Sequence, residues 1–390
     1  MLKYIIFFLL SFGIINAQTY KEIIGQIITN NKDIKAYKEY LNSINIESKI
    51  NSLPLNPNIE YSFLSGSGNA NGNKQELIIS QPFDFPGVYF IKSEISNLQY
   101  STNEFRLKEF KKGIIRTAQN MIIQFVYFTK KLEELKKRYD LSENMLKSIQ
   151  TKFDKGDAGV LELNKAKSNL SLAKSKMNLA QIELKTIQSE FVHLNGGLPL
   201  QLNITDYWEP EITSNFDSLF SKLKEADINY LALENEKKLY DKKLSLAKTG
   251  WYPNFDIGYR QENESDLSYK GVRLQMSIPI FENTNKVPKA ESELSAIDLR
   301  IQSYTSGFYL EKKRLFEKSE QLKQSFKEQQ SLVDFSQLDL NQKSYNLGHI
   351  SLTQFYTDNT MYYDIIDIIL DIDKEYHAAI SELMIEILSN

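Results

Sequence analysis

Three histidines, His193, His349 and His377, are the only imidazoles in the chain, and their separations match no metal-ligand or triad spacing. There is no cysteine, which removes disulfides, thiolate metal sites and cysteine nucleophiles together. The seven methionines form no tract with the histidines, so a metal relay is not expected. Asp364, Asp367 and Asp371 recur at helical spacing, the pattern of a polar stripe facing water rather than of a metal site. Lys130-Lys131 and Lys136-Lys137-Arg138 read as solvated helix faces. With 47 basic against 50 acidic residues, a formal charge of −3, no bulk field draws nucleic acid to the chain. No catalytic constellation emerges, so the expectation is a non-enzyme without cofactor or metal.

The remaining chemistry concerns where the chain goes. Met1-Leu2-Lys3, the apolar stretch Tyr4–Ile15 and Asn16-Ala17 have the order of a secretory signal over residues 1–17. That stretch is shorter than the about 20 residues a spanning helix needs. No later segment is apolar for long enough either: Ile365–Ile372 is interrupted by Asp367 and Asp371. An exported chain of this kind can still enter an outer membrane as a β-barrel. Its 390 residues, 42% hydrophobic and 25% charged, suffice for two or three domains or one elongated one.

The elements that could build such a barrel are duplicated. Pro57-Asn58-Ile59-Glu60-Tyr61-Ser62-Phe63 returns as Pro253-Asn254-Phe255-Asp256-Ile257-Gly258-Tyr259, and 253 − 57 is 196. Leu77–Phe83 returns as Leu274–Ile280, and Phe153-Asp154-Lys155-Gly156 as Tyr345-Asn346-Leu347-Gly348. Collinear matches of this kind mark two copies of one unit. The first copy takes residues 18–194, the second 214–390, and an irregular linker covers 195–213. Each copy opens with a helical tract, 20–53 or 215–248, closed by proline. A β-hairpin follows, over about 57–83 and 254–281, with polar turn residues at Ser65–Asn73 and Asn263–Tyr269. Two long helices then run out and back around Gly156 or Gly348. The first outward tract, about 63 residues, makes a rod of roughly 95 Å; its counterpart runs from Pro288 to Leu347. Rods of this length imply coiled-coil packing.

Alternation along the strands assigns their faces. Ile59, Tyr61, Phe63, Phe255, Ile257, Tyr259, Leu274 and Met276 are expected toward lipid; Asn58, Glu60, Asp256, Arg260, Arg273 and Gln275 toward a lumen. Trp251 and Tyr252 suit a membrane-interface belt. Two hairpins give four strands, too few to close, so chains must pool them. Eight strands would be filled by their own side chains, and a conduit therefore needs at least three chains. The fold class is thus mainly α with β: duplicated long-helix coiled-coil hairpins plus two β-hairpins per chain.

This order of elements resembles the TolC-like outer-membrane efflux family, the outer membrane factors. The junctions Gln81-Pro82-Phe83-Asp84-Phe85-Pro86-Gly87 and Ile278-Pro279-Ile280-Phe281 carry the likeness, with the turns Phe153–Gly159 and Tyr345–Ser351. The resemblance implies a homotrimer forming an α-barrel and a twelve-stranded transmembrane β-barrel in outer-membrane lipid, with a large periplasmic portion. It implies partnership with a periplasmic adaptor (membrane fusion) protein and an inner-membrane pump. Docking would fall to Gly156, Asp157, Ala158, Gly348, His349 and Ile350. Members often carry carboxylates just beyond the second tip glycine; here Gln354 and Thr357 stand there, Asp358 is the nearest acid, and Glu162 is the first-copy equivalent of Gln354. His349 reads more simply as an exposed side chain than as a pH gate. The function expected is a passive conduit of a tripartite efflux or secretion system. The alternative is a periplasmic coiled-coil adaptor or scaffold without a barrel.

Overall fold

The computed structural model describes residues 20–388, apart from 51, 67–71, 212, 214, 282 and 335. The expected signal and the centre of the first hairpin turn lie outside the described residues. The chain is mainly helical with one four-stranded antiparallel sheet. In order the elements are α1 (Tyr20–Asn30), α2 (Lys32–Ile50), β1 (Asn58–Ser65), β2 (Asn73–Phe83), α3 (Pro86–Asp154) and α4 (Val160–Leu194). Then follow α5 (Phe216–Ala226), α6 (Ile228–Thr249), β3 (Asn254–Glu264), β4 (Leu267–Ser277), α7 (Lys286–Leu332), α8 (Gln337–Asn346) and α9 (Leu352–Leu388).

The bounds repeat. Helix α5 starts 216 − 20 = 196 residues after α1, α6 starts 228 − 32 = 196 after α2, and β3 starts 254 − 58 = 196 after β1. At the far turns the interval becomes 192, both for the ends of α3 and α8 (346 − 154) and for the starts of α4 and α9 (352 − 160).

Each leading tract, expected as one helix, is two. The breaks fall on Asn31 and Asp227, again 196 apart and both buried. Asn31 Nδ2 donates to the Leu194 carbonyl at 2.9 Å, and the Asp227 carboxylate accepts from the Asn229 amide at 3.0 Å, capping α6. Short polar side chains compete for backbone groups and so end or start helices. The rod expected over 288–347 is also broken. Asp334 Oδ1 accepts from the Ser336 amide at 2.9 Å and hydroxyl at 2.7 Å, a local turn that separates α7 from α8.

The chain forms two compact units. Among the described residues one comprises 20–32, 113–216 and 313–388. Its core sets Ile23 and Ile27 of α1 against Ile115, Ala118 and Ile122 of α3, Phe191 of α4 and Ile385 of α9. Here α3 and α9 are tied by charge: Arg138 donates to both Asp367 oxygens at 3.0 and 2.9 Å, and Tyr127 donates to Asp371 at 2.7 Å. Arg138 is therefore buried rather than solvated; Asp364 and Asp371 stay exposed, as a water-facing stripe requires, and Asp367 and Asp371 also tie α9 to α3. The paired fork geometry is the strong form of this contact.

The other unit comprises 33–112 and 217–312 and holds the sheet. Leu223, Ile228 and Leu239 are buried in it with Ile297 and Phe308. Lys112 is buried beside Glu109 at 2.9 Å and Asp227 at 3.9 Å, and Tyr304 donates to Asp227 at 2.6 Å. A buried cation persists where it is both paired and hydrogen-bonded.

Candidate functional site

Two arrangements can do something: the two-faced sheet and the paired helix turns. The sheet is built from runs of β-branched and aromatic residues that suit a pleated surface. Its order is β1-β2-β3-β4, all antiparallel, so β1 and β4 are the edges. Directly paired residues share a face, and the register sorts the side chains. Ile59 pairs with Ile79, Ile79 with Tyr259, and Tyr259 with Val272. One row further, Ile257 pairs with Leu274, and Phe255 joins Phe83 to Met276. The Phe83 and Phe255 rings stack at 5.8 Å. All eight residues expected toward lipid, including Tyr61 and Phe63, lie on this one face. Exposure is high: Ile59 73%, Val272 78% and Leu274 75%.

Asn58, Glu60, Asp256, Arg260, Arg273 and Gln275 share the opposite face by the same register. There Glu76 stands directly opposite Glu262, a like-charge pair that would destabilise the ladder. Arg260 offsets it by reaching Glu76 at 2.6 Å and Glu262 at 2.9 Å, and Lys74 by reaching Glu262 at 2.6 Å. Ser80 donates to Asp256 at 3.0 Å, and Arg273 donates to Gln275. Gly258 makes this crowding possible, since a Cβ there would sit 2.5 Å from the Ile79 carbonyl oxygen and 2.7 Å from Ser80 Cβ.

Sequence reasoning left Ile79 out of the site, whereas the alternation of the return strand already put Val272 on the apolar side with Leu274 and Met276. In Leu77-Ile78-Ile79 three apolar residues run together, so alternation cannot assign the middle one. The register does: Ile78 pairs with Arg260 and is buried on the polar face.

Trp251 and Tyr252 precede β3, both about half exposed, and Tyr252 packs on Phe85 with ring centroids at 4.9 Å.

The turns after α3 and α8 match bond for bond. Gly156 takes φ 84° and Gly348 φ 75°, the left-handed conformation that ends helices and that glycine adopts without penalty. The Gly156 amide donates to Phe153 O at 2.9 Å and the Asp157 amide to Lys152 O at 2.8 Å. Gly348 to Tyr345 O at 3.0 Å and His349 to Ser344 O at 2.9 Å are the same bonds 192 residues on. Both turns close over one core of Met145, Ile149, Leu163, Ala166, Leu352 and Phe355. The expected docking set thus divides. Ala158 and Ile350 turn inward onto that core, while Gly156, Asp157, Gly348 and His349 stay exposed. Leu161 at 80% and Leu347 at 71% exposure flank them, large apolar side chains that no periodicity singled out.

Glu162 and Gln354 occupy equivalent first-turn positions. Glu162 accepts from the Gly159 amide at 3.2 Å, and the Gln354 amide donates to Ser351 Oγ at 3.1 Å. Gln354 Nε2 donates to Asp358 at 2.6 Å. The Glu162 side chain thus caps α4, and at α9 the capping side chain is Ser351. Nearby, burial pushes the Tyr356 hydroxyl up to about 12. Among the described residues no helix is long and apolar enough to cross a membrane, and no group of three or more acidic or histidine side chains could hold a metal ion.

No family model matches the chain, and no curated protein matches it by sequence. Solved structures do. The Campylobacter jejuni CmeC outer membrane channel superposes with a TM-score of 0.74 at 16% identity, covering 94% of this chain and 85% of that one. Vibrio cholerae outer membrane protein VceC gives 0.74 at 10% identity over 94% and 95%. The open state of the Neisseria gonorrhoeae MtrE outer membrane channel gives 0.73 at 14% identity over 95% and 88%. The chain has the fold of outer membrane factor channels.

Proposed function

We propose that this chain, folded like the outer membrane channels, is itself the outer-membrane channel of a tripartite export system, a passive conduit for small molecules. The observation that carries this reading is the sheet: one face bears a band of exposed apolar side chains, with Gln75, Gln261 and Lys270 among them toward the hairpin turns, the other is charged and internally paired, and two edges are open. Exposed apolar surface of this extent is costly in water and marks contact with lipid or protein. Three of the four strands have 11 residues and β1 has 8, against the 9–11 residues a tilted membrane strand needs. Three copies would contribute twelve strands, with the apolar face toward outer-membrane lipid and the polar face toward water.

The paired turns are the proposed docking point for a periplasmic adaptor linked to an inner-membrane pump. Gly156, Asp157, Gly348 and His349 supply its backbone shape, and Leu161 and Leu347 its apolar contacts. Ala158 and Ile350 support it from beneath. Glu162, Gln354 and Asp358 lie one or two turns further on and would line the entrance, one formal charge per copy and chain end. No step of this function needs a catalytic group or cofactor; partners supply the energy.

The deciding experiment is cell fractionation combined with gel mobility before and after heating. Recovery in the outer membrane with a heat-modifiable band is expected. Recovery as a soluble periplasmic protein without heat-modifiability would refute the channel.

A further inference from the structure

The irregular segment between the two copies is held down by aromatic rings, and one of those contacts is incomplete. Tyr207 lies against His377 of α9, rings stacked at 4.2 Å and 16°, and Lys130 of α3 sits 4.6 Å over the same tyrosine. The next residue, Trp208, stacks on Tyr20 of α1 at 5.5 Å. His377 is only 6% exposed. Its Nδ1 lies 2.8 Å from the Asp373 carbonyl oxygen. A carbonyl can only accept, so Nδ1 carries the proton of the neutral ring and Nε2 is left as a bare lone pair. Nε2 is buried without a hydrogen-bond partner, and what it faces is another acceptor, Glu209 Oε1, at 3.8 Å.

We propose that His377 is an acid-sensitive latch for the linker: a second proton on Nε2 closes the gap to Glu209 and pins the 205–209 segment to α9. The neutral ring presents acceptor to acceptor, and the charged ring presents a donor to a carboxylate, the shorter and stronger kind of bond. On α9 the ring already has Asp373 Oδ1 at 3.2 Å and the edge of Tyr376 at 4.9 Å. From the linker come Asp206, Tyr207 and Glu209. The opposing cation, Lys130 of α3, is shared between Asp206 and Asp373, each at 3.4 Å. On the far side of Tyr207, Asp371 is engaged by Tyr127 and by Lys374 at 3.7 Å. Lys323 and Glu320 of α7 act on Tyr376. Five carboxylates, Asp206, Glu209, Glu320, Asp371 and Asp373, against three lysines, Lys130, Lys323 and Lys374, leave a net negative neighbourhood. Histidine changes charge in the range where such a device is useful, and the sign is fixed: the latch closes as pH falls and loosens as pH rises. The idea goes beyond the channel reading and does not rest on it.

The chain has two tryptophans, so Trp251→Phe leaves Trp208 as a single reporter on the strap. Its acrylamide quenching, measured on the full chain in detergent, should fall about twofold between about pH 7.5 and about pH 5.5 as the strap closes. Glu209 is exposed, so Glu209→Gln cannot unfold the core; its amide can donate to the neutral ring and accept from the charged one, so it should hold the strap closed at both pH values and abolish the acid response. His377→Gln should also abolish the acid response, with quenching raised at both pH values because the stack with Tyr207 is lost. Amide exchange over 203–211 in the unsubstituted chain repeats the measurement without altering any tryptophan. A Trp208 signal and amide exchange that both ignore pH would overturn the latch. So would an acid response that survives Glu209→Gln.

Discussion

Burial pushes the hydroxyls of Tyr20, Tyr127 and Tyr207 above the usual phenol range, with Asp371 adding to the effect on Tyr127 and Asp373 to that on Tyr207. Tyr356 and Tyr363 rise to about 12 for the same reason. All five belong to the unit of α1, α4, α8 and α9. A raised value means that the fold prefers the protonated ring. The contribution is complete below the phenol's unfolded value near 10 and is lost as pH climbs through the folded values. The helical melting temperature should therefore hold up to about pH 9.5 and fall between about pH 10 and 12. Tyr356 Oη is buried without a partner, so Tyr356→Phe should cost little at neutral pH and make the alkaline fall shallower. A circular-dichroism melt of both proteins at two pH values checks this; equal falls would locate the alkaline sensitivity elsewhere. At this scale the sequence said least. Arg138 sits in a lysine-rich stretch and reads as solvated, yet its partner Asp367 lies 229 residues away. The periodicity of one helix marks one buried stripe and says nothing of a second.

Elements were more legible, because strand period and proline are local signals. The hairpins could be placed from Pro57 and Pro253 and from the alternation that follows each. The face assignment leads to a direct test. Arginine on the lipid side near mid-membrane costs about 2–4 kcal/mol, and far less on a lumen side. Ile257→Arg should therefore reduce outer-membrane assembly, while Gln275→Arg, on the opposite face and next to Asp256, should leave it intact. Trimer yield in membrane extracts is the measurement, and equal yields would reverse or remove the assignment. The turns were legible too, through Gly156 and Gly348. A Cβ at either meets nothing within 4 Å, so any penalty comes from positive φ alone, about 1–2 kcal/mol for an ordinary residue and less for asparagine. Gly156→Val with Gly348→Val should abolish export and adaptor crosslinking while the chain still assembles, and the double asparagine variant should retain both. Normal export by the valine pair would remove these turns from docking. Hidden from the sequence were the breaks at Asn31 and Asp227. Each needed a tertiary partner, the Leu194 carbonyl in one case and the buried Lys112–Tyr304 setting in the other, and one polar residue in a helical pattern does not announce such a partner.

The whole molecule is the scale at which assembly is decided. Its sheet ends in two open edges, β1 and β4, and unpaired edges of this length invite pairing with another strand. Two chains would pool 2 × 4 = 8 strands, and a barrel of about that size is packed solid by its own side chains. The polar face could not then be wetted. Arg260 and Arg273 point from it, and their charges in a filled interior would have to be paired throughout. Three chains make twelve strands, the smallest closed ring of this unit with room for water along that face. The detergent-purified protein should therefore have the mass of three chains and conduct ions steadily in a planar bilayer. A two-chain particle should not conduct, so mass and conductance test the closure argument separately. A monodisperse monomer that keeps its full β-signal would show that the edges are protected in some other way and would sink the barrel.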